Sequence, residues 1–158
     1  MSDIPVFPHF KSIELNDRHI LNSFLHVYKP RTSEWTFTNL FIWHMHYNLH
    51  WSVYKDWLLV SCNEGNDNIY MMQPIGPPGR NKLIPMLFQF LIDECGASLP
   101  RIEKADKRFV SEVGGMKHVI IEPSRNNFDY VYLREDLVLL AGNKYRSKRN
   151  HMNQLVRQ

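Results

Sequence analysis

Between the residues Gln73 and Arg80 the chain reads Gln-Pro-Ile-Gly-Pro-Pro-Gly-Arg, and Lys82 follows two positions later. A loop of this kind ahead of a helix presents free backbone N–H groups and a partial positive charge, which suits phosphate or carboxylate. Gly76 and Gly79 let a ligand approach the backbone, and Arg80 and Lys82 add charge. Pro74, Pro77 and Pro78 have no N–H to donate, so the stretch reads either as an anion site or as a structural connection. A second basic cluster closes the chain. Asn143 to Gln158 holds five Lys or Arg and no acid, more positive charge than the whole chain's net +3. Lys144, Arg146, Lys148 and Arg149 are its candidate contacts to a partner, since clustered cations neutralise phosphates. The same segment carries an apolar stripe of Tyr145, Met152, Leu155 and Val156, so it also reads as an amphipathic helix docked on its own domain.

Other groups carry less. His44, His46 and His50 lack an accompanying acid or cysteine, and a spacing of two residues separates His44 and His46 around a helix, which argues against a metal site. Cys62 and Cys95 are far apart and read as buried thiols rather than a disulfide framework. No catalytic-triad, nucleophile-elbow or phosphate-loop pattern is present. The aromatic row Trp35, Phe37, Phe41, Trp43, Tyr47 and Trp51 reads as core. No apolar run approaches the ~18–20 residues that span a bilayer, and Met1 to Pro5 shows no basic-then-apolar signal, so the expected location is the cytoplasm.

With 158 residues and 44% apolar content, the chain can bury a core without metals or disulfides. Lys11–Leu15 alternates like a strand, and Asn16 or Asp17 is placed to cap a helix carrying Ile20, Leu21, Phe24, Leu25 and Tyr28 on one side. Pro30 ends it. Ser33 and Glu34 open a second helix, apolar over most of its girth and therefore expected to be largely buried. Trp51–Tyr54 and Trp57–Cys62 form a hairpin across Lys55-Asp56, and Asn63–Asn68 is a turn before a strand at Ile69–Met72. A long helix begins near Asn81, tolerates Pro85 in its first turn, packs through Leu83, Met86, Leu87, Phe90 and Leu91, and stops at Gly96. Arg101–Lys104 is a strand, Lys107–Val113 a helix, and Gly114-Gly115 a break. Val119–Ile121 and Tyr130–Leu133 are the last strands, with Ser124–Asn127 between them, and Gly142 is the one boundary.

Four separated stretches, Ser33–Trp43, Pro74-Ile75-Gly76, Asp129–Tyr132 and Lys144–Asn150, resemble a bacterial family related to the C-terminal domain of phosphatidylglycerol lysyltransferase. The resemblance runs along essentially the whole chain. It implies an α/β, GNAT-like acyltransferase fold, a mixed central sheet flanked by helices with a C-terminal basic helix. Members are similar to two such domains in tandem and roughly twice this length. On that basis residues 1–142 are one GNAT-like domain, 143–158 resemble the inter-domain helix, and the second domain is absent. Gln73-x-x-Gly76-x-x-Gly79 loosely resembles the pyrophosphate loop of acetyltransferases, with one extra residue and intervening prolines. The implied donor is acetyl-coenzyme A or an aminoacyl-tRNA, and the implied partner is the second domain, another copy of the chain, or tRNA. The reading is the N-terminal half of an aminoacyl- or acyltransferase-type protein, incomplete as an enzyme alone. Its rivals are a nonenzymatic phosphate- or tRNA-binding module and an autonomous acetyl-coenzyme A-dependent N-acetyltransferase.

Overall fold

The computed structural model describes residues 3–65 and 68–157; Met1-Ser2, Asn66-Asp67 of the expected turn, and Gln158 at the end of the tail lie outside them. The chain divides into two compact units, one ending at Asn127 and one beginning at Phe128.

The first unit is built on a five-stranded sheet in the order β1 (Lys11–Ser12), β2 (His50–Tyr54), β3 (Trp57–Asn63), β4 (Ile69–Met72), β5 (Ile102–Glu103). The first three pairings are antiparallel and β4–β5 is parallel. Tyr54 pairs with Trp57 across Lys55-Asp56, the expected two-residue turn, with Lys55 at φ 53°. Along β3 alternate side chains serve opposite layers, as the period of two in a strand requires. Leu58, Val60 and Cys62 join the core under α1 (Arg18–Tyr28) and α2 (Phe37–Trp43), whereas Leu59 joins the core under α3 (Ile84–Asp93). Being covered on both faces is why β3 is an almost continuous apolar run.

Helix α1 buries Leu21 and Leu25 and ends where Lys29 turns left-handed (φ 44°) just before Pro30. Asp17 sits at its start but does not cap it. Its fully buried carboxylate instead accepts hydrogen bonds from the Glu14 backbone N–H and the Trp51 indole, both at 2.9 Å, and pairs with Lys11. Helix α2 also departs from expectation. It starts at Phe37, not near Ser33, because Thr36 supplies the capping oxygen, accepting from the Asn39 N–H at 3.1 Å. Nor is it largely buried: Phe37 and Leu40 face the core, but Ile42 and Trp43 are 58% and 48% exposed. Two turns of helix have only one supporting side here.

A 3-10 turn at Arg80–Leu83 leads into α3, with Pro85 in the first helical turn where its missing N–H costs nothing. Leu83, Leu87 and Leu91 are buried against the sheet, with Met86 packed beside them. Phe90 is half-buried against the rings of Phe7 and Phe10. Helix α4 (Lys107–Val113) is capped by Asp106 and packs Phe109 and Val113 on Ile84. A mixed sheet with helices on both faces, and with the loop after its fourth strand feeding the main helix, is consistent with the GNAT-like fold that the sequence implied.

Two expected strands do not form. Val119–Ile121 and Tyr130–Leu133 are irregular, and Ile120, Tyr130 and Val131 are each more than 85% exposed. Aromatic and β-branched residues favour strands only where a pleated, half-buried surface exists to receive them, and neither segment joins a ladder among the described residues. The residues between them include a 3-10 turn at Arg125–Asn127. The second unit holds α5 (Arg134–Leu139), a 3-10 turn at Asn143–Tyr145, and α6 (Arg146–Val156), the basic helix that follows Gly142.

Candidate functional site: the loop before the main helix

Strand β4 delivers the chain into the loop at Gln73, and the first half of the loop is packed away. Ile75 exchanges both backbone hydrogen bonds with Leu58, at 2.8 and 3.0 Å. Gly76 then passes beneath Trp57. A Cβ on Gly76 would lie 2.3 Å from Trp57 Cδ1 and 2.7 Å from the Asp56 carbonyl oxygen. Its lack of a side chain therefore makes room for the indole, whose Nε1–H donates to the Pro77 carbonyl at 3.0 Å.

The second half forms an anion cradle, and a carboxylate of the same chain is in it. Gly79 (φ 95°) aims its N–H, together with that of Arg80, at Oε2 of Glu112, at 3.0 and 2.8 Å. The Arg80 guanidinium closes on the other oxygen, with Nε at 3.0 Å and Nη2 at 2.5 Å from Oε1. Arg80 is buried, reaches the Pro74 carbonyl through Nη1, and lies over the Phe109 ring. Burial works against the charge on Glu112, but the Arg80 side chain, the two N–H groups and the Arg80 charge outweigh it and hold the carboxyl below its ordinary value. Lys82 points to solvent.

A second tie runs alongside. Gln73 Oε1 accepts from the Asp106 N–H at 2.9 Å, and Asp106 Oδ1 accepts from the Phe109 N–H at 3.0 Å while Oδ2 pairs with Arg108. Burial opposes the Asp106 charge as well, yet the Phe109 N–H and Arg108 leave its carboxyl below the usual range. Helix α4 is thus fastened to both ends of the loop. Gln73 was read only as the start of the loop, and Asp106 and especially Glu112 escaped the sequence reading. Asp106 is recognisable as a cap three residues before Phe109, but nothing near Glu112 in sequence marks it as the partner of Gly79 and Arg80.

In the second unit the basic candidates are largely engaged with their own surroundings. Lys144 and the Tyr145 hydroxyl both donate to Asp136 Oδ2, at 3.1 and 3.0 Å, and the Lys144 hydrogen bond is the main cause of the lowered Asp136 pKa. Arg149 donates to the carbonyls of Leu140, which caps the C-terminus of α5, and of Gly142 just beyond it. Lys148 stands 5.1 Å over the Tyr132 ring. Arg146 is exposed, and no ion pair engages it among the described residues. Tyr145 is buried, but Met152, Leu155 and Val156 are more than half exposed.

The remaining candidates are dispersed. His44 and His50 bond separately to the carbonyls of Phe41 and Asn48, and His46 packs on Tyr47. Cys62 is buried, and burial pushes its thiol up to about 12. Among the described residues no helix is long and apolar enough to cross a membrane.

The family model described as phosphatidylglycerol lysyltransferase, C-terminal, matches residues 25–158. The fold is similar to the crystal structure of a conserved protein of unknown function from Bacteroides thetaiotaomicron VPI-5482, with a TM-score of 0.76 and 26% identity over 92% of this chain. The chain spans 49% of that protein's length. No curated protein matches it significantly.

Proposed function

From the premise that the chain belongs to the phosphatidylglycerol lysyltransferase C-terminal family, we propose that it serves as a GNAT-like scaffold half of an aminoacyl- or acyl-transferring protein and does not itself hold the acyl donor. One observation carries this reading: the cradle at the start of the main helix is filled by Glu112. A donor pyrophosphate needs the same N–H groups and the same guanidinium. Each hydrogen bond it gains there is one that Glu112 loses, so the exchange leaves little net affinity. The approach through Gly76 is closed by Trp57, and the three prolines offer no donors. The donor, acetyl-coenzyme A or aminoacyl-tRNA, is then carried by a second GNAT-like domain, and the half-length match to the Bacteroides protein is in keeping with such a partner. The partner is that domain or a second copy of the chain.

Engagement of Lys144, Lys148 and Arg149 within their own unit speaks against the rival in which the tail holds tRNA. Titrating acetyl-coenzyme A while following the amide resonances of Gly79 and Arg80 tests the proposal. No saturable shift is expected at either. Saturable shifts at both, with turnover of an amine acceptor, would put an autonomous acetyltransferase in its place.

A further inference from the structure

Half of the large hydrophobic side chains exposed among the described residues belong to the second unit, which is one-fifth of the chain. Of the hydrophobic residues in that unit only Leu140 and Tyr145 are buried. An apolar concentration of this kind marks an interaction surface, and the segment ahead of α5 carries the pattern of what fits it. Tyr130 and Val131 are 87% and 88% exposed, and Leu133 is 68% exposed with extended backbone. Tyr132 is anchored in its own unit, beside the Tyr145 ring and under Lys148. No backbone hydrogen bond engages the N–H or C=O of Tyr130 or Tyr132 among the described residues. The segment is a strand-forming edge whose ladder is unmade, and such edges are templates for pairing with another chain.

We propose that Tyr130–Leu133 pairs with the same segment of a second copy of the chain, antiparallel about a two-fold axis at Val131. A two-fold axis through an antiparallel ribbon sets one residue opposite its own copy, and the side chains select which. With Val131 on the axis, Val131 meets Val131 and each Tyr130 stands opposite Tyr132 of the other copy. Phe128 comes beside Arg134 of the other copy, at the start of its α5. Aromatic pairs are among the favourable cross-strand contacts, and a guanidinium over a ring is attracted to its face. Centring on Tyr132 instead sets Asp129 against Glu135, and centring on Tyr130 sets Asp129 against Val131. Charge and polarity disfavour both slips. The run Phe128–Arg134 is thus its own complement, which a surface shaped for a different domain has no need to be. This pairing supplies the partner that the scaffold reading calls for, and rests on that reading only for the need of one.

Sedimentation velocity on the full chain over a concentration series tests the association, and cysteine cross-linking tests its register. The wild type should dimerise. Val131→Asp changes only an exposed side chain but sets two carboxylates face to face, and should raise the dimer Kd about fivefold or more. Val131→Lys should do the same, and mixing the two variants should restore the dimer as a heterodimer. In a Cys95→Ser background, Val131→Cys should form an intermolecular disulfide with oxidised glutathione, because facing residues stand about 4.5–5.5 Å apart at Cα, within the range of about 4.4–6.8 Å that a disulfide spans. Tyr130→Cys should not, because the two copies of residue 130 are offset by two positions and lie about 8 Å apart. A wild type that stays monomeric overturns the proposal and assigns the surface to a second domain, while the scaffold reading still stands on the Gly79 and Arg80 titration. A dimer that Val131→Asp leaves unchanged, a mixture that does not restore it, or cross-linking through residue 130 in preference to 131 also overturns it.

Discussion

Asp17 and Trp51 are both fully buried, 34 residues apart in sequence, and joined by a 2.9 Å hydrogen bond from the indole to the carboxylate. The same carboxylate holds Lys11 and the Glu14 N–H, so one acid at the start of α1 secures the N-terminal segment to the second strand of the sheet. Replacing Trp51 by Phe keeps the ring and removes one donor from a buried charge, for an expected loss of about 1–3 kcal/mol. Asp17→Ala strips the acceptor from all three donors and should cost more. Urea unfolding of the two variants measures both, and equal, negligible losses would show that the tie contributes nothing.

Removing Glu112 leaves the buried Arg80 guanidinium without its counter-charge. Glu112→Ala should destabilise by about 3 kcal/mol, in line with breaking a buried pair by deleting one partner. If the scaffold reading holds, the emptied cradle should also begin to take up inorganic pyrophosphate, which calorimetry on the wild type and the variant would compare.

Acid should weaken the same contact. The folded carboxyls of Glu112 and Asp106 both lie below their ordinary values, so the stability they contribute is full above the ordinary carboxylate range and lost as pH falls through the lowered folded values. Melting temperature plotted against pH should therefore drop on the acid side, and Glu112→Gln should shallow that limb. An unchanged slope in the variant would remove Glu112 from the account.

Packing on α3 should be graded by burial. Leu87, with no exposed surface, should lose about 2–5 kcal/mol on truncation to Ala. Phe90 is only half-buried against Phe7 and Phe10, and Phe90→Ala should cost less than a fully enclosed aromatic would. Gly76→Ala should be damaging despite its small change in volume, because the new methyl would meet both the Trp57 ring and the Asp56 carbonyl. Chemical denaturation ranks all three, and a tolerated Gly76→Ala would contradict the close approach.

In the tail, Arg149 and Arg146 should behave differently. Arg149→Ala removes the donor to the Leu140 and Gly142 carbonyls and should speed amide exchange across Leu137–Tyr145, whereas Arg146→Ala should leave exchange unchanged. If Arg146→Ala instead abolished a salt-sensitive retention of tRNA, the nucleic-acid reading of the tail would regain ground.

Local chemistry was enough to read much of this protein from its sequence. The hairpin across Lys55-Asp56, the one-sided α1, the main helix with Pro85 in its first turn, and α4 between Lys107 and Val113 all follow from periodicity and turn residues within a few positions of one another. The four stretches that resemble the phosphatidylglycerol lysyltransferase C-terminal family pointed to the same fold and to the family that the chain matches. Tertiary structure decided what depends on distant partners. Tyr130–Leu133 has the composition of a strand, but a strand exists only where another backbone offers a ladder, and none does among the described residues. Asp17 was placed to cap a helix, but a buried indole and a lysine made a better set of donors. The basic loop was legible only as either an anion site or a structural connection. That Glu112 fills it depended on folding α4 back over the loop, because an ion pair 32 residues apart leaves no mark in the local pattern of either residue.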